Sequence, residues 1–134
     1  MNELADLIPH AGSMCLLESI VTHTEHDIEC TAPSHTSPDH PQRSGGQLTA
    51  LHLTEYAAQA MAAHGALRAG GVQRGMLAAL REIRLHVDRI DTIDDELTVH
   101  ATRRMAQAAG SLFDFRVQAG DRLLCEGRIA IAFV

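Results

Sequence analysis

No surface helix can be drawn through residues 49–69, TALHLTEYAAQAMAAHGALRA. From Leu53 to Leu67 nearly every position is apolar or small, and Thr54, Glu55, Gln59 and His64 are too few to make a broad wet face. Alanine dominates, so helix is the favoured local state. Thr49 is placed to cap its start through the hydroxyl, and Gly70–Gly71 to stop it. The stretch therefore reads as a helix buried on nearly all sides. Within it sits a carboxylate, Glu55, with Gln59 one turn later and His52 one turn earlier. Burying an unpaired carboxylate costs on the order of several kcal/mol, so Glu55 needs a partner, a raised pKa or contact with a cleft. Two readings stay open: a satisfied polar network between packed elements, or a functional site.

A chain of 134 residues has the size and apolar content for one core. Its net charge of -6, with no Lys/Arg cluster, argues against nucleic acid or an anionic membrane as the main partner. A local basic patch could still serve a small acidic carrier. The three cysteines lack metal-ligand spacing, no N-terminal segment reads as a secretion signal, and no apolar run approaches the roughly 20 residues needed to span a bilayer. Reduced thiols in the cytoplasm are expected. The nine histidines form no HExxH or other zinc pattern. They are read as solvent-facing or singly hydrogen-bonded, with no metal and no cofactor.

Residues 2–8 suit a short helix or turn ending before Pro9. Residues 14–32 read as a strand, a turn near His23–His26, and a second strand over Asp27–Ala32. Residues 33–48, PSHTSPDHPQRSGGQL, contain three of the four prolines and no apolar periodicity, so they form a loop long enough to suggest function or flexibility. After a glycine-rich connection at 70–75, Ile83, Leu85 and Val87 alternate with Arg84, His86 and Asp88, which places a strand over 76–85. Asp91–Asp95 turns the chain. Strands over 96–106, 111–118 and 122–133 then make an antiparallel meander, with hairpin signals between them. A helix without a polar back cannot lie on a flat sheet, so the sheet must curl around it. The predicted fold is α+β, a single hot-dog domain over residues 1–134: a curled antiparallel sheet wrapped around one central buried helix.

Two segments resemble the hot-dog 3-hydroxyacyl-[acyl-carrier-protein] dehydratases. Pro9-His10-Ala11-Gly12-Ser13-Met14-Cys15-Leu16-Leu17-Glu18 is similar to that family's N-terminal PHRxPFLLVD segment, and Glu55-Tyr56-Ala57-Ala58-Gln59 matches its ExxAQ helix motif. The resemblance covers nearly the whole chain and is closest to the short, divergent dehydratase-like proteins of aryl polyene pathways. The same fold also carries thioesterases and hydratases.

The resemblance implies removal of water across C2 and C3 of a 3-hydroxyacyl thioester on acyl carrier protein. A base takes the C2 proton, an acid protonates the leaving hydroxyl, and N–H groups at the helix start polarise the carbonyl. It assigns Glu55 as the catalytic carboxylate. The family's loop histidine lies roughly fourteen residues earlier, which lands on Pro41 with His40 adjacent. His40 is therefore the expected partner and His35 the second candidate. Thr49, Ala50 and Leu51 fall at the substrate-binding helix entrance, where Thr49-Ala50 replaces the family's Pro-Gly, and Gln59 is expected to orient Glu55 or a neighbouring loop. Tyr56 reads as core; Arg43, Arg74, Arg81 and Arg84 read as solvated side chains or contacts for the carrier. The implied assembly is a homodimer, or a heterodimer with a related hot-dog dehydratase. Two alternatives remain: an acyl thioesterase, and a non-catalytic subunit of a heterodimeric dehydratase.

Overall fold

The computed structural model describes residues 4, 7, 8, 14–70 and 75–133. Six strands and one long helix account for most of them: β1 (Ser19–His23), β2 (Asp27–Ala32), α1 (Leu53–Ala69), β3 (Gly75–Leu85), β4 (Leu97–Gln107), β5 (Gly110–Ala119) and β6 (Arg122–Phe133). They form one antiparallel sheet in the order β1-β2-β4-β5-β6-β3. The strands after the helix fall within a residue or two of their expected bounds. The first expected strand, from Met14 up to the turn near His23–His26, starts later than expected: β1 begins at Ser19, and Met14–Leu17 stays outside the sheet. Of the turn expected over residues 2–8, Leu4 and Ile8 are buried and joined by a bond from Ile8 N–H to the Leu4 carbonyl. Residues 2, 3, 5 and 6 of that turn, Pro9–Ser13 (His10 among them) and the glycine-rich stretch at 71–74 (Arg74 included) lie outside the described residues.

Alternation along the strands gives the sheet one dry and one wet face. Ile28, Cys30 and Ala32 of β2, Leu97, Val99 and Ala101 of β4, and Phe113, Phe115, Val117 and Ala119 of β5 are all buried. The outer face carries cross-strand rows of charge. One runs Glu29, His100, Arg116, Glu126, Arg84, and the next Asp27, Thr102, Asp114, Arg128, Arg81. Asp114 accepts bonds from Arg104 Nε (2.7 Å) and Arg128 Nε (2.8 Å). Exposed pairs of this kind contribute little stability. Their effect is to leave one face of the sheet for the core.

That face closes over α1. Leu53, Tyr56, Ala57, Gln59, Ala60, Met61, Ala63, His64 and Ala66 are buried and take up more than half of the helix's circumference, while Thr54, Glu55, Ala58, Ala62 and Gly65, which share the remaining side, are half-buried, so the helix is not enclosed on nearly all sides as the sequence predicts. Gly70 stops it in the left-handed conformation at φ 80°. Thr49 does not cap it as expected. Thr49 is extended and its side chain makes no capping bond, because residues 48–50 are held against 88–90: Ile90 N–H donates to the Leu48 carbonyl and Ala50 N–H to the Asp88 carbonyl, both at 2.9 Å. A 3-10 turn, Ala50–His52, then leads into α1.

Curvature comes from bulges, which break the register in several strand pairs and bend the sheet. In β3 the break between Arg81 and Arg84 puts Glu82 at φ 54°, in the left-handed region. The bulge turns Ile83 onto β6 at Gly127. A Cβ on Gly127 would lie 2.5 Å from Ile83 Cδ1, 3.1 Å from its Cα and 3.2 Å from Phe115 Cε1. The bend thus depends on a missing methyl. Gly127→Ala should lower unfolding free energy by about 1–3 kcal/mol, read from the urea midpoint at unchanged m-value.

Candidate active site

Glu55 is the third residue of α1 and is half-buried. It lies in the first helical turn, where the helix dipole favours a negative charge. Just upstream, Ala50 is buried and Leu51 is 55% exposed. Helix geometry leaves the first N–H groups without an intrahelical acceptor. Of the amides at the helix entrance, the Ala50 N–H is already bonded to the Asp88 carbonyl.

The loop before the helix is ordered by one guanidinium. Arg43 Nε donates to the Ser37 carbonyl, Nη1 to Gly46 and Nη2 to His35, each at 2.7 Å. Arg43 was expected to be solvated or to bind a carrier. Instead its planar fork closes residues 35–46 on themselves. The loop's downstream end is fixed where Leu48 N–H donates to Asp91 Oδ1 at 2.9 Å. Arg89 is paired with the same carboxylate, and this bond is the main reason that Asp91 titrates well below the usual carboxylate range.

The ordered loop brings His40 against the helix. His40 is buried, with Nε2 3.1 Å from Tyr56 Oη and Nδ1 3.1 Å from the Gln42 N–H. The two rings stack with centroids 6.1 Å apart. Tyr56 Oη lies 2.7 Å from Ser34 Oγ, and Ser34 Oγ donates to the Leu16 carbonyl at 2.8 Å. Burial pushes the Tyr56 hydroxyl up to about 12. Burial, followed by the neighbouring His52, Arg43 and His35, holds His40 below the ordinary histidine range. The fold therefore brings His40 against Tyr56, the residue next to Glu55. Tyr56 itself had been read only as core. The available signal was that a buried tyrosine needs a partner for its hydroxyl.

Gln59 faces the N-terminal segment. Its Oε1 accepts from the Leu16 N–H at 2.9 Å and its Nε2 donates to the Met14 carbonyl at 2.6 Å. The side-chain amide thus satisfies backbone groups of residues 14–16, which lie outside the sheet. The His35 ring takes no part in these bonds. It is fully buried and donates Nε2–H to the Ile93 carbonyl at 2.9 Å. Among the described residues no group of three or more His, Cys, Asp or Glu side chains could hold a metal ion, and no helix is long and apolar enough to cross a membrane.

A curled antiparallel sheet around one buried helix defines a hot-dog protein. A family model described as ApeP-like, ApeP dehydratase, matches residues 2–133, and the chain belongs to this dehydratase family. No curated protein matches it. Among solved structures it is similar to the dehydratase heterocomplex ApeI:P from Xenorhabdus doucetiae, with a TM-score of 0.88 and 20% identity over 98% of this chain and 90% of that one. It is also similar to a hypothetical thioesterase from Streptococcus pneumoniae TIGR4, solved with coenzyme A, at a TM-score of 0.62 and 13% identity over 87% and 84%. A thioesterase from Pseudomonas aeruginosa gives 0.61 and 11% over 88% and 81%.

His35, His40 and His64 share a property that governs acid stability. His64 donates Nε2–H to the Thr24 carbonyl at 2.9 Å, and for both His35 and His64 the buried Nδ1 meets no partner among the described residues. Burial is the largest cause lowering all three, and nearby arginines add to it. The unfolded chain takes up their protons near pH 6.5 and the folded chain does so only at lower pH. Stability is therefore complete above about pH 6.5 and falls as pH drops toward the folded-state values, by at most about 1.4 kcal/mol per pH unit per histidine. Urea unfolding at a series of pH values should show this slope, and His64→Gln should make it shallower.

Proposed function

We propose that this chain acts in the dehydration of 3-hydroxyacyl thioesters borne on an acyl carrier protein, in the cytoplasm and in aryl polyene or fatty acid type synthesis. The reading rests on one observation above all: a member of the ApeP-like dehydratase family keeps a carboxylate, Glu55, half-buried in the first turn of a helix that is largely apolar. In the reaction the C2 proton is removed, the C2–C3 double bond forms, and the C3 hydroxyl leaves with a proton as water. Charge gathers on the thioester oxygen meanwhile, and an N–H at the helix start is suited to stabilise it. Thr49, Ala50 and Leu51 form the entrance, with Gln59 keeping the N-terminal segment against it. Elimination also needs a second proton-carrying group, the part that the sequence assigned to His40.

The working assembly is a dimer with a related hot-dog dehydratase. The printed description of the ApeI:P heterocomplex supports such a partner for this chain. So does β3, which ends the sheet and exposes Leu80 and Leu85 along its length. An edge strand that carries exposed leucines is suited to pairing with another chain.

A 3-hydroxyacyl carrier protein incubated with the purified chain, with and without a hot-dog partner, would be followed by mass spectrometry. Loss of one water with the thioester intact supports the proposal; loss of the acyl group supports the thioesterase reading. Activity only in the presence of the partner would identify this chain as a dependent subunit. Glu55→Gln preserves shape and removes the carboxylate. It should lower dehydration by about 100-fold or more while the thermal transition stays in place.

A further inference from the structure

The hydrogen bonds around His40 have a forced direction. At one end stands the Gln42 backbone N–H, which can only donate, so His40 Nδ1 must be the unprotonated, accepting nitrogen. At the other end stands the Leu16 carbonyl, which can only accept, so Ser34 Oγ spends its proton there. The bond between Tyr56 and Ser34 must then be donated by Tyr56, and the bond between His40 and Tyr56 must be donated by His40 Nε2–H. Both imidazole nitrogens are occupied and the ring is neutral. A second proton on Nδ1 would point at the Gln42 N–H, donor against donor, and would require the turn at 40–42 to open. Among the described residues, the charged side chains and imidazoles that bear on the ring are Arg43, His35 and His52, none of them an acid.

We infer that His40 is a positioning residue and not a proton carrier. It is the fixed-tautomer member of a chain of bonds, from Gln42 through His40, Tyr56 and Ser34 to Leu16, that locks the loop and the N-terminal segment onto the first turn of α1. A general base needs a ring nitrogen with a free lone pair facing the substrate, and here that lone pair is spent on the backbone. This inference rests on the dehydratase reading for its catalytic meaning, since the proton carrier opposite Glu55 then has to be some other group.

Nitrogen-15 NMR of the wild-type protein decides the tautomer without substrate, with the His40 signals assigned by their absence in His40→Gln. The expected result is a proton on Nε2, none on Nδ1, and no titration between pH 8 and about 5.5. A proton on Nδ1, or a titration near the ordinary value of about 6.5, overturns the inference. Kinetics supply a second readout, in whichever preparation dehydrates. His40→Gln keeps a donor for Tyr56 but cannot accept a proton from substrate. It should retain kcat/KM within about threefold with its pH profile unmoved, whereas His40→Ala should lose more. A loss of about 100-fold or more in His40→Gln would return the catalytic role to this histidine. If the wild type never removes water, the functional proposal fails alone, and the NMR result still decides the role of the ring.

Discussion

A helix that is dry over more than half of its circumference has to be wrapped, and the rest of this molecule follows from wrapping α1. Burying Tyr56, Met61, Leu53 and most of the alanines between them requires cover over more than half of the circumference, which a flat sheet cannot supply. The bulges that break strand register provide the curl, and at one of them Glu82 takes a left-handed conformation while Gly127 on β6 leaves room for Ile83. Charge rows on the convex face leave only one direction in which the sheet can close.

Enclosure has a second effect. Every polar group on α1 that loses water must find a partner beyond the helix. Gln59 finds the backbone of residues 14–16, Tyr56 finds Ser34 and His40, and His64 finds the Thr24 carbonyl in the turn between β1 and β2. These are the parts of the chain that the sheet ladders do not hold. The few polar side chains on an apolar helix thus fasten the peripheral segments, and the candidate site lies among those fastenings.

Much of this was legible from residue order. Alternation located β4, β5 and β6 to within a residue or two, and the unbroken apolar surface of 53–67 implied both the helix and the curl. Two features were not. Met14–Leu17 has the composition of a strand, and nothing local reveals that a glutamine 43 and 45 positions away satisfies its backbone. Likewise, the partners of Tyr56 lie 22 and 16 residues back, in a loop without periodicity. Motif spacing could nominate His40 and Glu55, but it carries no information about which nitrogen of an imidazole holds the proton. That depends on the backbone amide two residues further on.

The guanidinium of Arg43 binds three carbonyls from positions 35, 37 and 46, and this gives the loop an unusual inheritance. Surface loops ordinarily absorb insertions and deletions at small cost, because closure entropy grows only slowly with length. Here one added residue between 35 and 46 would carry at least one carbonyl out of reach of a rigid planar fork. The length of this loop is therefore as constrained as that of a helix turn, and the protein's tolerance for change lies in side-chain identity and not in the residue count.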